Sequence, residues 1–165
     1  MSIFKKLVIM IVLGILGLVL YALFFYNPCN YSHKKPNPNN KYQLLIANEG
    51  SHFKDSVVSV LTQHYSSKPV NIKIIPLSAL SQIDPKEYHA IVILHSWYTW
   101  KPPPEVKGFV HKHHNCLENI VSFSTSFYAN LKMKELDGIT GASKMSDANG
   151  YAQKLIEKIN PSGWG

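Results

Sequence analysis

Twenty consecutive residues without a charge, from Leu7 to Tyr26 (LVIMIVLGILGLVLYALFFY), lie near the start of this chain. An α-helix rises about 1.5 Å per residue, so this length matches a bilayer core about 30 Å thick. The stretch therefore predicts one membrane-spanning helix, with the lipid bilayer as the partner of residues 7–26, in a cell membrane protein with a single pass.

A cleaved secretory signal peptide is the alternative, because Lys5 and Lys6 precede the apolar stretch. Signal peptides usually have an apolar region of about 7 to 15 residues, followed by small residues at the cleavage site. Here bulky residues follow instead, in the order Phe24, Phe25, Tyr26. The pattern favours an anchor that is not removed.

The lysines on the two sides of the span leave its orientation nearly balanced. Lys5, Lys6 and the amino terminus stand on one side, and Lys34, Lys35 and Lys41 stand on the other. Positive charge is normally retained in the cytoplasm. Because the basic N-terminal tail is very short, we expect it to stay in the cytoplasm. This slightly favours the extracytoplasmic side for the domain that follows the span.

The net charge of +7 does not predict a nucleic-acid partner. Five of the 17 lysines fall at or before residue 41, so the remaining chain has twelve lysines against ten carboxylates. The basic excess therefore flanks the membrane, where it suits lipid headgroups. The chain has no arginine, so a phosphate would be held by backbone amides, hydroxyls and lysine. Its two cysteines, Cys29 and Cys116, do not form a disulfide framework.

The remaining chain divides into a linker, one domain and a tail. Residues 27–41 are rich in Asn and Pro without apolar periodicity, which is typical of an exposed linker. Residues 42–160 alternate between apolar runs and helical patterns, and residues 161–165 form a short tail. A chain of this length is expected to fold one compact domain after its membrane segment.

Short apolar or β-branched runs alternate with amphipathic helical patterns through the domain. Strands are predicted at 42–47, 70–75, 89–94 and 119–124, with a short fifth one in LDGITG, and helices at 53–65, 103–114 and 143–159. Such alternation predicts an α/β fold, a doubly wound parallel sheet of four or five strands covered on both faces. Ligands bind such sheets beyond the carboxyl ends of the strands.

The segment HAIVILHSWYTWKPPPEVKGFV, which contains the third strand and the loop after it, resembles the flavodoxin-like family. It has the family's apolar strand, its aromatic loop with a tyrosine at Tyr98, and a proline run that leads into a helix. The resemblance implies a flavodoxin-like fold for the domain, which the predicted N-terminal transmembrane helix precedes. It also implies that Trp97, Tyr98 and Trp100 pack against the flavin ring of FMN. The alternative is that these aromatic residues pack on the sheet or lie at the lipid interface.

Two later segments extend the resemblance to about residues 42–160. IVSFSTS is similar to the third cofactor loop of the family, which implies that Thr125 and Ser126 bond the edge of the flavin ring and that Tyr128 covers it. DGITGASK is similar to the ending of some short members. The function implied is FMN-dependent electron transfer with an unidentified redox partner protein. The stretch FVHKHH also resembles flavodoxin-like protoporphyrinogen oxidases, so whether the protein is an enzyme stays open.

The loop after the first strand departs from the family pattern. Flavin-binding members hold the FMN phosphate with a turn rich in Thr, Ser and Gly, whereas this chain has NEGSHFK. The resemblance assigns this role to Asn48, Gly50, Ser51, His52 and Lys54. A carboxylate at Glu49 would repel a phosphate by about 1 kcal/mol even when solvated. A domain that has lost the flavin and acts as a binding or scaffold module at the membrane is therefore the alternative function.

A cluster of potential metal ligands lies at the end of the second predicted helix. It comprises His111, His113, His114 and Cys116. Imidazole and thiol groups are ligands of zinc and copper, but this spacing is not that of a standard metal motif. Histidine near a helix C-terminus is also favoured by the helix dipole. An exposed helix end is the favoured interpretation, and no metal ligand is predicted.

Overall fold

The computed structural model describes residues 3–25, 42–127 and 130–159. The first range is a single helix, α1, from Ile3 to Phe25. Its segment Ile3–Tyr21 is apolar enough to cross a membrane, with a mean hydropathy of 2.5, and none of it is buried against the protein. A helix of this kind near the N-terminus fits a membrane span or a signal sequence. Tyr26, the linker at 27–41 and the tail at 161–165 lie outside the described residues.

The domain is built on a sheet of five parallel strands, in the order β2-β1-β3-β4-β5. The strands are β1 Tyr42–Asn48, β2 Val70–Pro76, β3 Ala90–Ser96, β4 Ile120–Thr125 and β5 Asp137–Gly141. β3 and β4 are buried along almost their whole length because both faces of the sheet are covered. This confirms the doubly wound parallel sheet and the short fifth strand.

Three helices cover the sheet: α2 His52–Tyr65, α3 Pro104–Lys112 and α4 Ala148–Ile159. Helices α2 and α4 pack on one face, where Leu61 and Leu155 are completely buried. Helix α3 packs on the other face beside a short 3₁₀ helix at Leu77–Gln82. The side chains of β1 and β3 alternate between these two cores, as the period of two in a strand requires.

The elements lie within a few residues of their predicted positions, except at the start of the last helix. The helical pattern from residue 143 predicts one continuous helix, whereas Met145–Asp147 is a 3₁₀ turn and α4 begins at Ala148. The Ser146 hydroxyl donates to the Asp147 carboxylate at 2.9 Å. Between β4 and β5 the described residues contain no helix, so the fold is a shortened version of its type.

Cys116 follows α3, is 6 % exposed and is disulfide-bonded. The chain contains one other cysteine, Cys29, which lies outside the described residues. The sequence pattern left the redox compartment undecided.

Candidate functional site

The carboxyl ends of β1, β3 and β4 meet at one edge of the sheet, and the loop after β1 is fixed there by its own hydrogen bonds. The Asn48 side chain accepts from the backbone N–H of Gly50 at 3.2 Å and donates to Asp55 at 2.7 Å. Gly50 has a φ of 84°, which glycine adopts without strain. Ser51 is the N-cap of α2, because its hydroxyl accepts from the backbone N–H of Lys54 at 3.3 Å.

The Lys54 side chain, in the first turn of α2, points into the crevice and is only 1 % exposed. Its ammonium donates to Ser96 Oγ at 2.7 Å and to Thr125 Oγ1 at 3.1 Å. It also forms an ion pair with Glu49 at 2.8 Å. A buried ammonium is stable only when it is paired and fully hydrogen-bonded, and these three oxygens satisfy all three of its donors.

Glu49 completes this cluster from the first loop. Its side chain is 18 % exposed and accepts from the Ser96 hydroxyl at 2.7 Å. Burial alone would raise the pKa of Glu49. The hydrogen bonds from Lys54 and Ser96, with the charge of Lys54, outweigh burial and hold the pKa below its usual value of 4.5, and Tyr98 contributes a smaller lowering. Glu49 therefore stays charged beside Lys54 at neutral pH.

His95, at the carboxyl end of β3, is completely buried beside this cluster. Burial lowers its pKa to about 4, against smaller opposing effects of a hydrogen bond to the Ser96 carbonyl and of the Glu49 charge. Its Nδ1 lies 3.4 Å from that carbonyl, and Nε2 has no partner among the described residues. Sequence reasoning missed His95, although a histidine that ends the most apolar strand is an unusual residue for a core.

The aromatic loop after β3 forms a tight two-residue turn. Tyr98 and Lys101 exchange backbone hydrogen bonds of 3.0 and 2.9 Å. The two residues between them, Thr99 and Trp100, have φ values of 47° and 65°, as a type I′ turn requires. Neither is glycine, so the turn holds backbone strain of the kind found at binding sites. It displays Tyr98 and Trp100, which are 63 % and 64 % exposed.

The loop after β4 is only partly described. Thr125 is buried and bonded to Lys54, whereas Ser126 is half-buried and its hydroxyl has no partner among the described residues. The Ser126 backbone N–H donates to the Gly141 carbonyl at 3.4 Å. Tyr128, the third residue assigned to this loop, lies outside the described residues.

The carboxyl ends of β1, β3 and β4 converge as the doubly wound sheet requires. Glu49 follows β1 and contacts Ser96, the last residue of β3. Lys54, in the first turn of α2, contacts Ser96 and also Thr125, the last residue of β4. Of the polar residues assigned to the phosphate, Asn48, Ser51 and Lys54 are bonded within the protein. His52 is the first residue of α2 and is exposed. Trp97 lies half-buried below the turn rather than beside Tyr98 and Trp100 at its tip.

An FMN phosphate does not fit this loop as it is folded. The lysine that would neutralise the phosphate is already paired with Glu49 at 2.8 Å, and the Ser51 hydroxyl caps the helix. The charges of Glu49 and Asp55 also lie in the loop and the first helical turn, where they would repel a phosphate. The exposed aromatic turn, by contrast, presents the flat faces that a planar ring stacks on.

The histidine-rich end of α3 brings together no metal site among the described residues. No group of three His, Cys, Asp or Glu side chains there is arranged to hold an ion. His114 Nδ1 lies 3.2 Å from the His111 carbonyl, and Cys116 is part of a disulfide. Burial lowers the pKa of His113, with a smaller contribution from Lys112.

Comparisons with known proteins find similarity in structure alone. No family model matches the sequence, and no curated protein matches it. An archaeal flavodoxin superposes with a TM-score of 0.50 at 10 % identity, over 72 % of this chain and 97 % of its own. A point mutant of the Pseudomonas aeruginosa flavodoxin has a TM-score of 0.49 at 10 % identity, over 71 % and 98 % of the two chains. The rubredoxin:oxygen oxidoreductase of Desulfovibrio gigas has a TM-score of 0.49 at 16 % identity, over 79 % and 39 %.

Identities this low establish a shared architecture and carry no activity with them. The strand order, the parallel pairing and the superposition on the archaeal flavodoxin agree with one another. The domain that follows the N-terminal apolar helix therefore has the flavodoxin-like fold.

Proposed function

We propose that this protein is a binding module with a flavodoxin-like fold, tethered to the membrane by its N-terminal helix, in which an internal ion pair replaces the phosphate of a nucleotide cofactor. The ion pair between Lys54 and Glu49 is the observation that carries the proposal. It places a positive and a negative side chain in the crevice where ligands bind to doubly wound sheets.

The hydrogen bonds of the ion pair explain why it would exclude a cofactor phosphate. Lys54 joins the ends of β3 and β4 through Ser96 and Thr125, and Glu49 ties the first loop to the same point. A phosphate would have to displace Glu49 from the ammonium and leave that carboxylate partly buried without its partner. Breaking a buried pair in this way is strongly unfavourable.

FMN-dependent electron transfer is the second candidate, and the aromatic turn is the observation that favours it. Tyr98 and Trp100 are exposed at the edge of the sheet where the loops converge, in a strained conformation. Aromatic faces held in this way would cover a flavin ring and exclude water from it. In this candidate Thr125 and Ser126 would bond the ring edge and a redox protein would be the partner.

Titration with FMN and with riboflavin, which lacks the phosphate, distinguishes the two candidates. We expect the detergent-purified wild-type chain to show no saturable quenching of flavin fluorescence, with either compound. Glu49→Gln, compared under conditions in which circular dichroism shows it to be folded, removes a repulsion of about 1 kcal/mol, so any FMN binding should increase about fivefold, without a matching increase for riboflavin. Saturable binding to the wild-type chain that is tighter for FMN than for riboflavin would contradict the binding-module proposal and establish the flavin candidate.

The disulfide at Cys116 supports placing the domain on the extracytoplasmic side. Structural disulfides persist in oxidising compartments and are rare in the cytosol. We therefore expect alkaline phosphatase fused after Gly165 to be active, because that enzyme needs its own disulfides. A fluorescent-protein fusion at the same position, of a type that folds only in the cytoplasm, is the control. An inactive phosphatase fusion with a bright fluorescent one would place the domain in the cytoplasm.

A further inference from the structure

A groove of about 630 Å³ lies between the start of α3 and the segment that connects β4 to β5. Its apolar part includes the half-buried Trp97 and the buried Met133, with Pro102 and Pro104 from the proline run. Small-molecule sites typically have volumes of about 300 to 1,000 Å³ and apolar walls with a few polar groups. The groove has the size and lining of such a site.

The groove is separate from the crevice that contains Lys54. None of the residues 48–54 or 125–127 lines it. Met133 belongs to the core under α3, whereas Lys54 projects from α2, which packs on the opposite face of the sheet. A ligand in the groove would therefore not need to displace the ion pair between Lys54 and Glu49.

The charges that line the groove are mostly positive. Four exposed lysines, Lys101, Lys107, Lys132 and Lys134, line it together with a single carboxylate, Glu135. The amino-terminal end of α3 lies at Pro104 and adds the partial positive charge of a helix dipole, offset in part by Glu105 in its first turn. An anion is attracted to this arrangement, and a cation is repelled.

Trp97 lines the groove with its ring and has a buried indole N–H. Its indole Nε1 is buried, and no hydrogen-bond partner for it exists among the described residues. An unpaired buried donor costs about 1 to 3 kcal/mol, so such groups normally have a partner. Because this Nε1 is not accessible to solvent, a ligand in the groove would contact the apolar face of the indole ring rather than its N–H.

We infer that this groove binds a small amphipathic anion, a ring or short hydrocarbon body bearing a carboxylate, sulfonate or phosphate group. The lysines recognise the charge, and the wall formed by Trp97 and Met133 holds the apolar body. This inference rests on the proposed function, since it names the ligand class of the binding module. It requires no flavin and no metal.

Naphthalene-1-sulfonate is the probe, and the indole N–H resonance of Trp97 in ¹⁵N-labelled full-length protein in zwitterionic detergent is the readout. Trp→Phe variants assign the three indole signals of Trp97, Trp100 and Trp164. We expect the Trp97 signal to shift saturably and the neutral naphthalene-1-sulfonamide to bind about tenfold more weakly. The double variant K132Q/K134Q should also bind the sulfonate about tenfold more weakly, as the loss of two charges at about 6 Å in water predicts.

K68Q/K154Q is the matched control, because it removes the same charge from the turn after α2 and from α4, on the other face of the sheet. Wild-type affinity in this control, with weaker binding of K132Q/K134Q, supports the groove. Equal weakening in both double variants, equal binding of the sulfonate and the sulfonamide, or an unmoved Trp97 signal would overturn it. A Trp97 shift only in nanodiscs of anionic lipid would overturn it too, since it would make a headgroup the ligand. Flavin binding tests the proposed function separately, so the two failures are distinguishable.

Discussion

Glu49→Gln is expected to destabilise the folded domain by about 3 to 5 kcal/mol, because it leaves a buried ammonium without its counter-charge. The Lys54 side chain is 1 % exposed and its ion pair with Glu49 measures 2.8 Å. Ser96 and Thr125 would still accept hydrogen bonds from it, but neither carries a charge. Lys54→Met should cost less, since the Glu49 carboxylate is 18 % exposed and reaches water, while the methionine fills the space of the lysine stem.

The double variant E49Q/K54M tests whether the two charges act as a pair. Removing both charges together avoids an orphaned ion, so the double variant should be more stable than E49Q alone. Urea unfolding of the detergent-purified chain, followed by tryptophan fluorescence, measures this because all three tryptophans lie beyond residue 42. Lys158→Met, which breaks the exposed pair with Asp137, is the control and should change stability by less than about 1 kcal/mol. Additive losses in the double variant would show that the pair is not coupled.

Acidification from pH 6.5 to pH 4 is expected to lower the free energy of unfolding of the domain by about 3 kcal/mol through His95. The pKa of the completely buried His95 is about 4 in the folded protein, whereas the ordinary value is 6.5. Between these values the unfolded chain binds a proton that the folded protein does not, so unfolding becomes easier as the pH falls. Each unit of pKa difference corresponds to about 1.4 kcal/mol, which gives the total. The stabilisation is complete above pH 6.5.

The charges that face His95 limit the pH range in which the contribution of His95 to stability can be measured by itself. Glu49 raises the pKa of His95 and Lys54 lowers it, and the pKa of the Glu49 carboxylate itself is held below its usual value of 4.5. Urea midpoints should therefore be compared between pH 7 and pH 5. Burial also lowers the pKa values of His64 and His113, so these two residues add a pH dependence of stability with the same sign. The contribution of His95 is the part of the pH dependence of stability that disappears in His95→Met. If this variant kept the pH dependence of the wild-type chain, His95 would be protonated without loss of structure.

The architecture was predictable because the pattern of apolar residues determines which elements form. Runs such as YQLLIA and HAIVIL are too apolar for a surface strand, and together with the amphipathic helices between them they specify a sheet covered on both faces. The predicted start of α4 was five residues too early, because the apolar residues at helical spacing begin at Ala148 and Met145–Asp147 forms a 3₁₀ turn first. Helix boundaries depend on local capping rather than on periodicity.

The residues of the site were only partly predictable. Sequence reasoning identified Lys54 and Thr125, but assigned both to a ligand, whereas they bond each other across 71 residues of sequence. Ser96 was not identified, because a serine at the end of a strand carries no sequence signal of its own. The repulsive character of Glu49 was recognised, but its partner was not, since an ion pair between a loop and a helical turn depends on the fold that joins them.

The direction of the strands determines which end of the domain lies far from Tyr42. The described part of the domain begins at Tyr42 with β1, and the other four strands run parallel to β1. A strand of seven residues spans about 23 Å, at about 3.3 Å per residue. The aromatic turn and the carboxyl ends of all five strands thus lie at the end of the domain opposite to Tyr42, where the described domain begins.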